Sequence, residues 1–241
     1  MKLSTERIRK YVVAVSAGVL ILASTTWAAD DKSDIGKRLD NAANVMNEIM
    51  STPDKGIPDS VLGGAECIAV VPSMLKIGLG IGGNHGKGVA TCRTKSGWSA
   101  PAPITIAGGS WGLQIGGEAV DLVMLVMNEK GMQNLLSSKF KVGADASAAA
   151  GPVGREAAAD TDWKMKSEVL TYSRSRGAFA GITINGAVVK QDQDETRVLY
   201  GKMVPFETIL RGRVAPPAGA HTFLATLDKY APRSTQRGSL K

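Results

Sequence analysis

Gly108-Gly109-Ser110-Trp111-Gly112 has the G-x-S-x-G spacing of a hydrolase nucleophile elbow, and His221 follows with Asp192 and Asp194 between, the chain order such a triad uses. The chemistry would be acyl transfer by a serine hydroxyl that an imidazole activates, with backbone N–H groups holding the oxyanion. That geometry needs a strand before the serine and a helix after it. Residues Gly112 to Gly117 alternate as a strand does, so a secreted serine hydrolase using Ser110 and His221 is the rival reading and not the leading one. Gly78, Gly80 and Gly83 match a dinucleotide-binding G-x-G-x-x-G, but Asn84 to Thr91 alternates where that motif needs a helix to face the phosphates. Gly86-Lys87 resembles the end of a phosphate-binding loop, yet Ile81 stands where the first glycine belongs and Gly88 where a Ser or Thr belongs. Asp192, Asp194 and Glu195 lack the glycine of a calcium loop, since Arg197 occupies its place, and read as a solvated turn. The chain has two histidines, His85 and His221, and two cysteines, Cys67 and Cys92, with no metal-ligand spacing among them. No metal and no cofactor are expected.

Charge is more informative than any of these motifs. Between Glu66 and Glu118 there is no acidic residue, while Lys76, Lys87, Arg93 and Lys95 are present. Lys87, Arg93 and Lys95 share parity and would point to one face of a strand and its edge. Each Lys or Arg beside an anionic bilayer is worth about 1 kcal/mol, so three or four would give weak, salt-sensitive attraction to headgroups. A solvated sheet face carries the same pattern, and that alternative stays open. Nucleic acid is disfavoured by the modest charge and the lack of interleaved aromatics.

The N-terminus accounts for part of the basic balance. Lys2, Arg7, Arg9 and Lys10 precede an apolar run from Tyr11 to Ala23, and Thr26 and Ala28 supply small residues for cleavage before Ala29, the pattern of a secretory signal peptide. The formal charge of +7 falls once residues 1–28 are set aside, leaving 25 basic against 21 acidic residues. The expected compartment is the periplasm or the exterior, with the protein peripheral to a membrane. Export favours joining Cys67, which opens one apolar run, to Cys92, which closes another, as cross-strand partners.

The elements that must position these residues can be read from periodicity. Ile35, Leu39, Ala42, Ala43, Met46, Ile49 and Met50 recur at helical spacing within an arc of about 120°. This predicts an amphipathic helix over Asp34–Met50, with Ser33 as its cap. Its charges, Lys37 and Arg38 against Asp34, Asp40 and Glu48, favour packing on the domain's own sheet over lying on a membrane. Pro58 and Gly63-Gly64 bracket a short helix. Three hexapeptides of the form Gly-(Leu/Ile)-x-Ile-(Gly/Asn)-Gly, at Gly78–Gly83, Gly112–Gly117 and Gly181–Gly186, read as strands whose glycines imply sharp coiling or close approach. Ala119 to Met127 reads as a buried strand, Asn128 as the cap of a helix from Glu129 to about Ser138, and Trp163 to Arg176 as a further strand. Pro205–Leu210 and Ala218–Tyr230 read as helices, and Arg233–Lys241 as a disordered tail. The fold class is α+β, with a mainly antiparallel, strongly curved, glycine-rich sheet or barrel, an N-terminal amphipathic helix and a few short helices.

Several longer motifs then occur together in order. Gly108 to Gly117, Asn128-Glu129-Lys130, Phe140 to Ser147, Ala150 to Arg155, Tyr172 to Gly177 and Phe179-Ala180-Gly181 resemble the SYLF domain, a lipid-binding family. The resemblance covers about Ile35 to Gly212 and implies non-catalytic binding of phosphoinositides or other anionic phospholipids. Within it the Ser110 segment is a glycine-rich structural stretch. It divides the chain into a signal peptide (1–28), a SYLF-like domain (29–212) and a C-terminal helix and tail (213–241). Some eukaryotic members also bind actin and carry an SH3 domain, and an N-terminal helix contributes to their membrane contact. By position that helix brings Lys37 and Arg38 into the expected lipid-binding set beside Lys76, Lys87, Arg93 and Lys95. Export would separate this chain from cytoplasmic actin, so actin is disfavoured as a partner. The resemblance is to the exported bacterial branch.

Overall fold

A computed structural model describes residues 34–52, 56–137, 139–154, 167–175, 178–182 and 184–232, with backbone alone over 78–81 and 110–116. The predicted signal peptide, the Ser33 cap, the first part of the Trp163–Arg176 strand and the tail from Arg233 lie outside the described residues.

Helix α1 spans 34–50, and α2 spans Asp59–Gly63, entered from Pro58 and closed at Gly64. The sheet is dominated by two strands of unusual length, β1 (Cys67–Thr94) and β3 (Ala102–Val126), with the two-residue β2 (Gly97–Trp98) between them. They pair antiparallel from Cys67 opposite Val126 to Ala90 opposite Ala102. Strands this long must coil, because each strand carries a right-handed twist. Here β1 turns back alongside its own beginning: the Cα atoms of Cys67 and Cys92 are 3.9 Å apart, and the Arg93 N–H donates to the Glu66 carbonyl at 2.7 Å. Glycine makes that approach feasible. A Cβ on Gly88 would fall 2.2 Å from the Val70 carbonyl oxygen.

The remaining elements are α3 (Glu129–Leu136), β4 (Lys139–Lys141), β5 (Ala148–Ala150), β6 (Val169–Ser175), β7 (Ala178–Gly181), β8 (Val188–Gln191), α4 (Gln193–Tyr200), α5 (Phe206–Leu210) and α6 (His221–Tyr230). The eight strands form one sheet, with β6 on the Val126 end of β3 and β8 and β4 on its Ala102 end. Among the described strand pairs only β5 with β6 is parallel, in keeping with the expected curved, mainly antiparallel α+β sheet.

Two cores flank this sheet. Inside the curl lie Cys67, Ala69, Val71, Met74, Ile104, Ile106, Leu122 and Phe140. Outside it, Ile68, Val70, Val123 and Leu125 meet Leu39, Met46 and Ile49 of α1 and Phe223 and Leu227 of α6. A β-bulge between Val71 and Met74 reverses the alternation, so odd residues face the first core before it and even residues after it. Ser73, at φ 51°, takes up the extra residue, and its N–H donates to Asp121 Oδ1 at 3.0 Å.

Two sequence readings change. The third hexapeptide is not a strand: Gly181 ends β7, and Asn185-Gly186 forms a turn with Gly186 at φ 88°, as Asn-Gly favours. The Asp192–Glu195 cluster is not a solvated turn either, because it opens α4. Asp192 Oδ1 accepts from the Glu195 N–H at 3.1 Å, a helix N-cap, and Gly201 closes the helix at φ 72°. The expected Asn128 cap is present, its side chain accepting from the Gly131 N–H at 2.9 Å.

Candidate functional site

Ser110 lies within β3, its backbone opposite Gly82 of β1, with strand continuing on both sides. No strand-to-helix turn exists there, so the elbow geometry fails. His221 is the exposed first residue of α6. Among the described residues no group of three or more His, Cys, Asp or Glu could hold a metal ion.

The six predicted basic residues are dispersed over the molecule. Lys87 Nζ lies 2.9 Å from Glu195 Oε1 and 3.2 Å from Asp192 Oδ2, and Arg38 of α1 pairs with the same Glu195. Burial opposes the charge on both Lys87 and Asp192. It is outweighed at Lys87 by Glu195 and Asp192, which raise the ammonium, and at Asp192 by the Glu195 N–H, the Thr105 hydroxyl and Lys87, which lower the carboxyl. Arg93 stacks over Trp98 at 4.3 Å, and its Nε donates to the Ala65 carbonyl at 2.8 Å. Lys95 is exposed in the turn between β1 and β2. Lys76 is half-buried opposite Glu118, and burial pulls its ammonium down despite that carboxylate. Lys37 pairs with Asp34 at 3.5 Å on the outer side of α1. The shared parity of Lys87 and Arg93 holds, but their face of β1 is the one α1 and α6 cover. Lys87 and Arg38 meet through Glu195; the six do not form one patch.

A different set of lysines, Lys139, Lys141 and Lys190, is exposed where β4 pairs with β8. Register places Lys139 of β4 opposite Lys190 of β8, Lys190 opposite Thr105 of β3, and Thr105 opposite Lys87 of β1, a single row across four strands. Lys141 is two residues on from Lys139, with Phe140 between them turned into the first core. Lys139, Lys141 and Lys190 are exposed and make no ion pair among the described residues. Asp145, on the same edge, accepts instead from the Lys141 backbone N–H at 2.7 Å. Like charges directly opposite across a ladder cost stability, and among the described residues no carboxylate pairs with either Lys139 or Lys190. Sequence reasoning missed it. The only signal was the alternation of Lys139-Phe140-Lys141 and Val189-Lys190-Gln191, which shows nothing until β4 and β8 are known to pair.

Cys67 and Cys92 are joined, as expected, and buried in the first core, but they stand near the two ends of the one long strand β1, brought together by its curl, and are not cross-strand partners. No helix among the described residues is long and apolar enough to cross a membrane. The apolar residues of α1 are spent on the second core: Leu39, Ala42, Ala43, Met46 and Ile49 are fully buried.

The family model described as Ysc84, "Las17-binding protein actin regulator", matches residues 107–230. Protein YSC84 of Saccharomyces cerevisiae is 35% identical over 182 residues, which are 74% of this chain and 39% of that protein. LAS seventeen-binding protein 3 of the same species is 33% identical over 194 residues, 77% of this chain and 42% of its own length. The SH3 domain-containing YSC84-like protein 1 of Homo sapiens is 29% identical over 213 residues, 86% and 62% of the two lengths. The chain thus spans about two fifths of the yeast relatives. These are names of binding and regulatory proteins, not of enzymes. The expectation that disfavoured actin is not borne out, since the family is described as one of actin regulators. From the match over residues 107–230 and the motifs that run through it, the chain belongs to the Ysc84, or SYLF, family.

Proposed function

We propose that this domain is a non-catalytic module that binds anionic phospholipid at a membrane surface. The observation that carries the reading is the exposed Lys139–Lys190 pair with Lys141 beside it, positive charge held on a rigid sheet with no carboxylate partner among the described residues. At about 1 kcal/mol for each lysine near an anionic surface, three supply weak, salt-dependent binding, enough to place a domain but not to anchor it. Of the basic residues expected from the sequence, Lys87 joins the row while holding Glu195; Lys37, Arg38, Lys76, Arg93 and Lys95 lie elsewhere on the molecule and belong to the same proposal only as further attraction to an anionic surface. Export to the periplasm or exterior, with residues 1–28 as the signal, is part of this reading.

The test is vesicle co-sedimentation of Ala29–Lys241, which retains every residue of both cores, on neutral and anionic vesicles at low and high salt. The expected result is binding that needs anionic lipid, weakens with salt, and drops ~10-fold or more in Lys139/Lys141/Lys190→Gln. Pelleting that is indifferent to lipid charge would sink the reading. A loss confined to Lys87/Arg93/Lys95→Ala would move the contact to those residues.

The names of the relatives favour a second reading, a protein partner of the actin-regulatory class. Co-sedimentation with filamentous actin in the absence of lipid separates it from the first.

A further inference from the structure

Asn185-Gly186 is the one Asn-Gly pair in the sequence. An asparagine followed by glycine carries its own reagents: the side-chain amide carbon is an electrophile, and the next backbone nitrogen, with no Cβ beside it, can reach that carbon. The Gly186 nitrogen gives its proton to hydroxide and bonds to Asn185 Cγ, closing a cyclic succinimide. The Cγ–Nδ2 bond breaks, and Nδ2 takes up a proton and leaves as ammonia. Water then opens the ring at one carbonyl or the other, giving aspartate or isoaspartate. Water is consumed, ammonia is released, and a neutral residue becomes an anion at neutral pH.

The fold decides how readily this happens. Asn185 is exposed, and it shares with Gly186 the centre of a turn that the Ala187 N–H closes on the Ile184 carbonyl at 3.1 Å. Two contacts from the loop after β4 hold the reacting atoms. The Gly186 N–H, whose proton must leave, donates to the Val142 carbonyl at 2.8 Å. The Asn185 side chain lies against Gly143, where a Cβ would fall 2.7 Å from Oδ1 and 2.9 Å from Cγ. Gly143 also stands at φ 83°, so conformation and space both call for glycine there. Both contacts depend on one short element. β4 is three residues long, pairs with β8 alone among the described residues, and sets Lys139 directly opposite Lys190. A short edge strand with like charges across its ladder is among the first parts of a sheet to open. We infer that Asn185-Gly186 is a site of spontaneous, charge-forming modification, held closed by Val142 and Gly143 and released when β4 lifts from β8. Its product lies beside the proposed lipid surface: Val142, which holds Gly186, follows Lys141, and Lys141 is opposite Val188 on the strand that this turn enters. A carboxylate there offsets one ammonium of the cluster, about a fivefold loss of attraction to an anionic surface.

Only the consequence for binding rests on the lipid-surface reading; the modification itself is read without lipid. Ala29–Lys241 is held in mildly alkaline buffer, folded and in urea, while peptide mapping by mass spectrometry follows residue 185 and isoaspartyl methyltransferase counts isoaspartate. Conversion should be at least ~10-fold slower in the folded protein than in urea. Gly143→Ala should bring the folded rate towards the unfolded one. Lys190→Glu, which turns the repulsion across the ladder into attraction, should slow the folded rate further and leave the rate in urea unchanged; it decides the matter if Gly143→Ala does not fold. No conversion at residue 185 in urea overturns the site. Equal rates folded and unfolded overturn the protection, and a folded rate indifferent to Lys190→Glu overturns β4 as the element that opens. On vesicles of phosphatidylglycerol in phosphatidylcholine, Asn185→Asp should bind about fivefold more weakly than the wild type. Unchanged binding overturns the link to the lysines. Absence of vesicle binding by the wild type overturns the lipid-surface reading and leaves the conversion rates to decide the modification alone.

Discussion

Lys87, Asp192, Glu195, Arg38 and Thr105 come from four separate stretches of chain and meet at one corner of the sheet. Asp192 does two things there. One carboxylate oxygen caps α4, and the other accepts from Thr105 and faces Lys87. Its carboxyl is held below its ordinary value of 3.8, so its contribution is present above that value and is lost as pH falls through the depressed one. Lys87 is raised above 10.5, so its contribution is present below that value and is lost as pH rises through the folded one. Asn retains capping ability without charge, whereas Ala loses both. Melting temperature against pH should therefore show Asp192→Ala less stable at pH 7 by about 1–2 kcal/mol and Asp192→Asn by less. Both differences should shrink below about pH 4, as the wild-type carboxyl protonates. A gap that stays constant down to pH 2 would refute the assigned role of the charge.

At the scale of elements, α1 is where alternative uses of the same pattern compete. Seven apolar residues at helical spacing suit a membrane surface or a sheet equally well. The structure uses them for the second core, and the two ends of the helix are tied down by Arg38 to Glu195 and by Glu48 to Arg174. Met46→Ala should cost about 2–5 kcal/mol in urea unfolding, the range for emptying a buried site of this size, with vesicle binding of the folded protein unchanged. A detachable membrane helix would give the opposite pattern, unchanged stability and weaker binding. The strands β4 and β8 pose a different problem. Each is short and has one lysine-bearing face, unremarkable alone, and only their pairing sets Lys139 against Lys190.

For the molecule as a whole, the disulfide joins the two ends of β1's excursion across a separation of 25 residues. The chain-entropy model assigns such a loop ~3.5 kcal/mol, and both sulfurs are buried in the first core. Cys67→Ser/Cys92→Ser should lower unfolding stability by about 2–4 kcal/mol while leaving the sheet intact by circular dichroism. Mild reductant should leave the native wild type unaffected, since opening precedes access; a free thiol titrated under native conditions would contradict the burial.

Much of this was legible in the chain itself. The helices at 34–50, Glu129–Leu136, Phe206–Leu210 and His221–Tyr230 arise from periodicity and capping residues, local properties that neighbours in sequence decide. The cysteine pair and the curved glycine-rich sheet were readable too, because two cysteines allow one bridge and repeated glycine marks close approach. The α4 helix was missed because Asp-rich openings serve turns and caps alike, and only the number of helical residues beyond the opening decides between them. What only the tertiary structure decided is which charges are spoken for. The basic run between Glu66 and Glu118 looks unopposed along the chain, yet Lys87 meets carboxylates more than a hundred positions away. The exposed lysines sit on strands that are adjacent in space but far apart in sequence. Electrostatic neutralisation depends on distance through space, which composition does not carry, whereas helical and strand periodicity depends on distance along the chain, which the order of residues does.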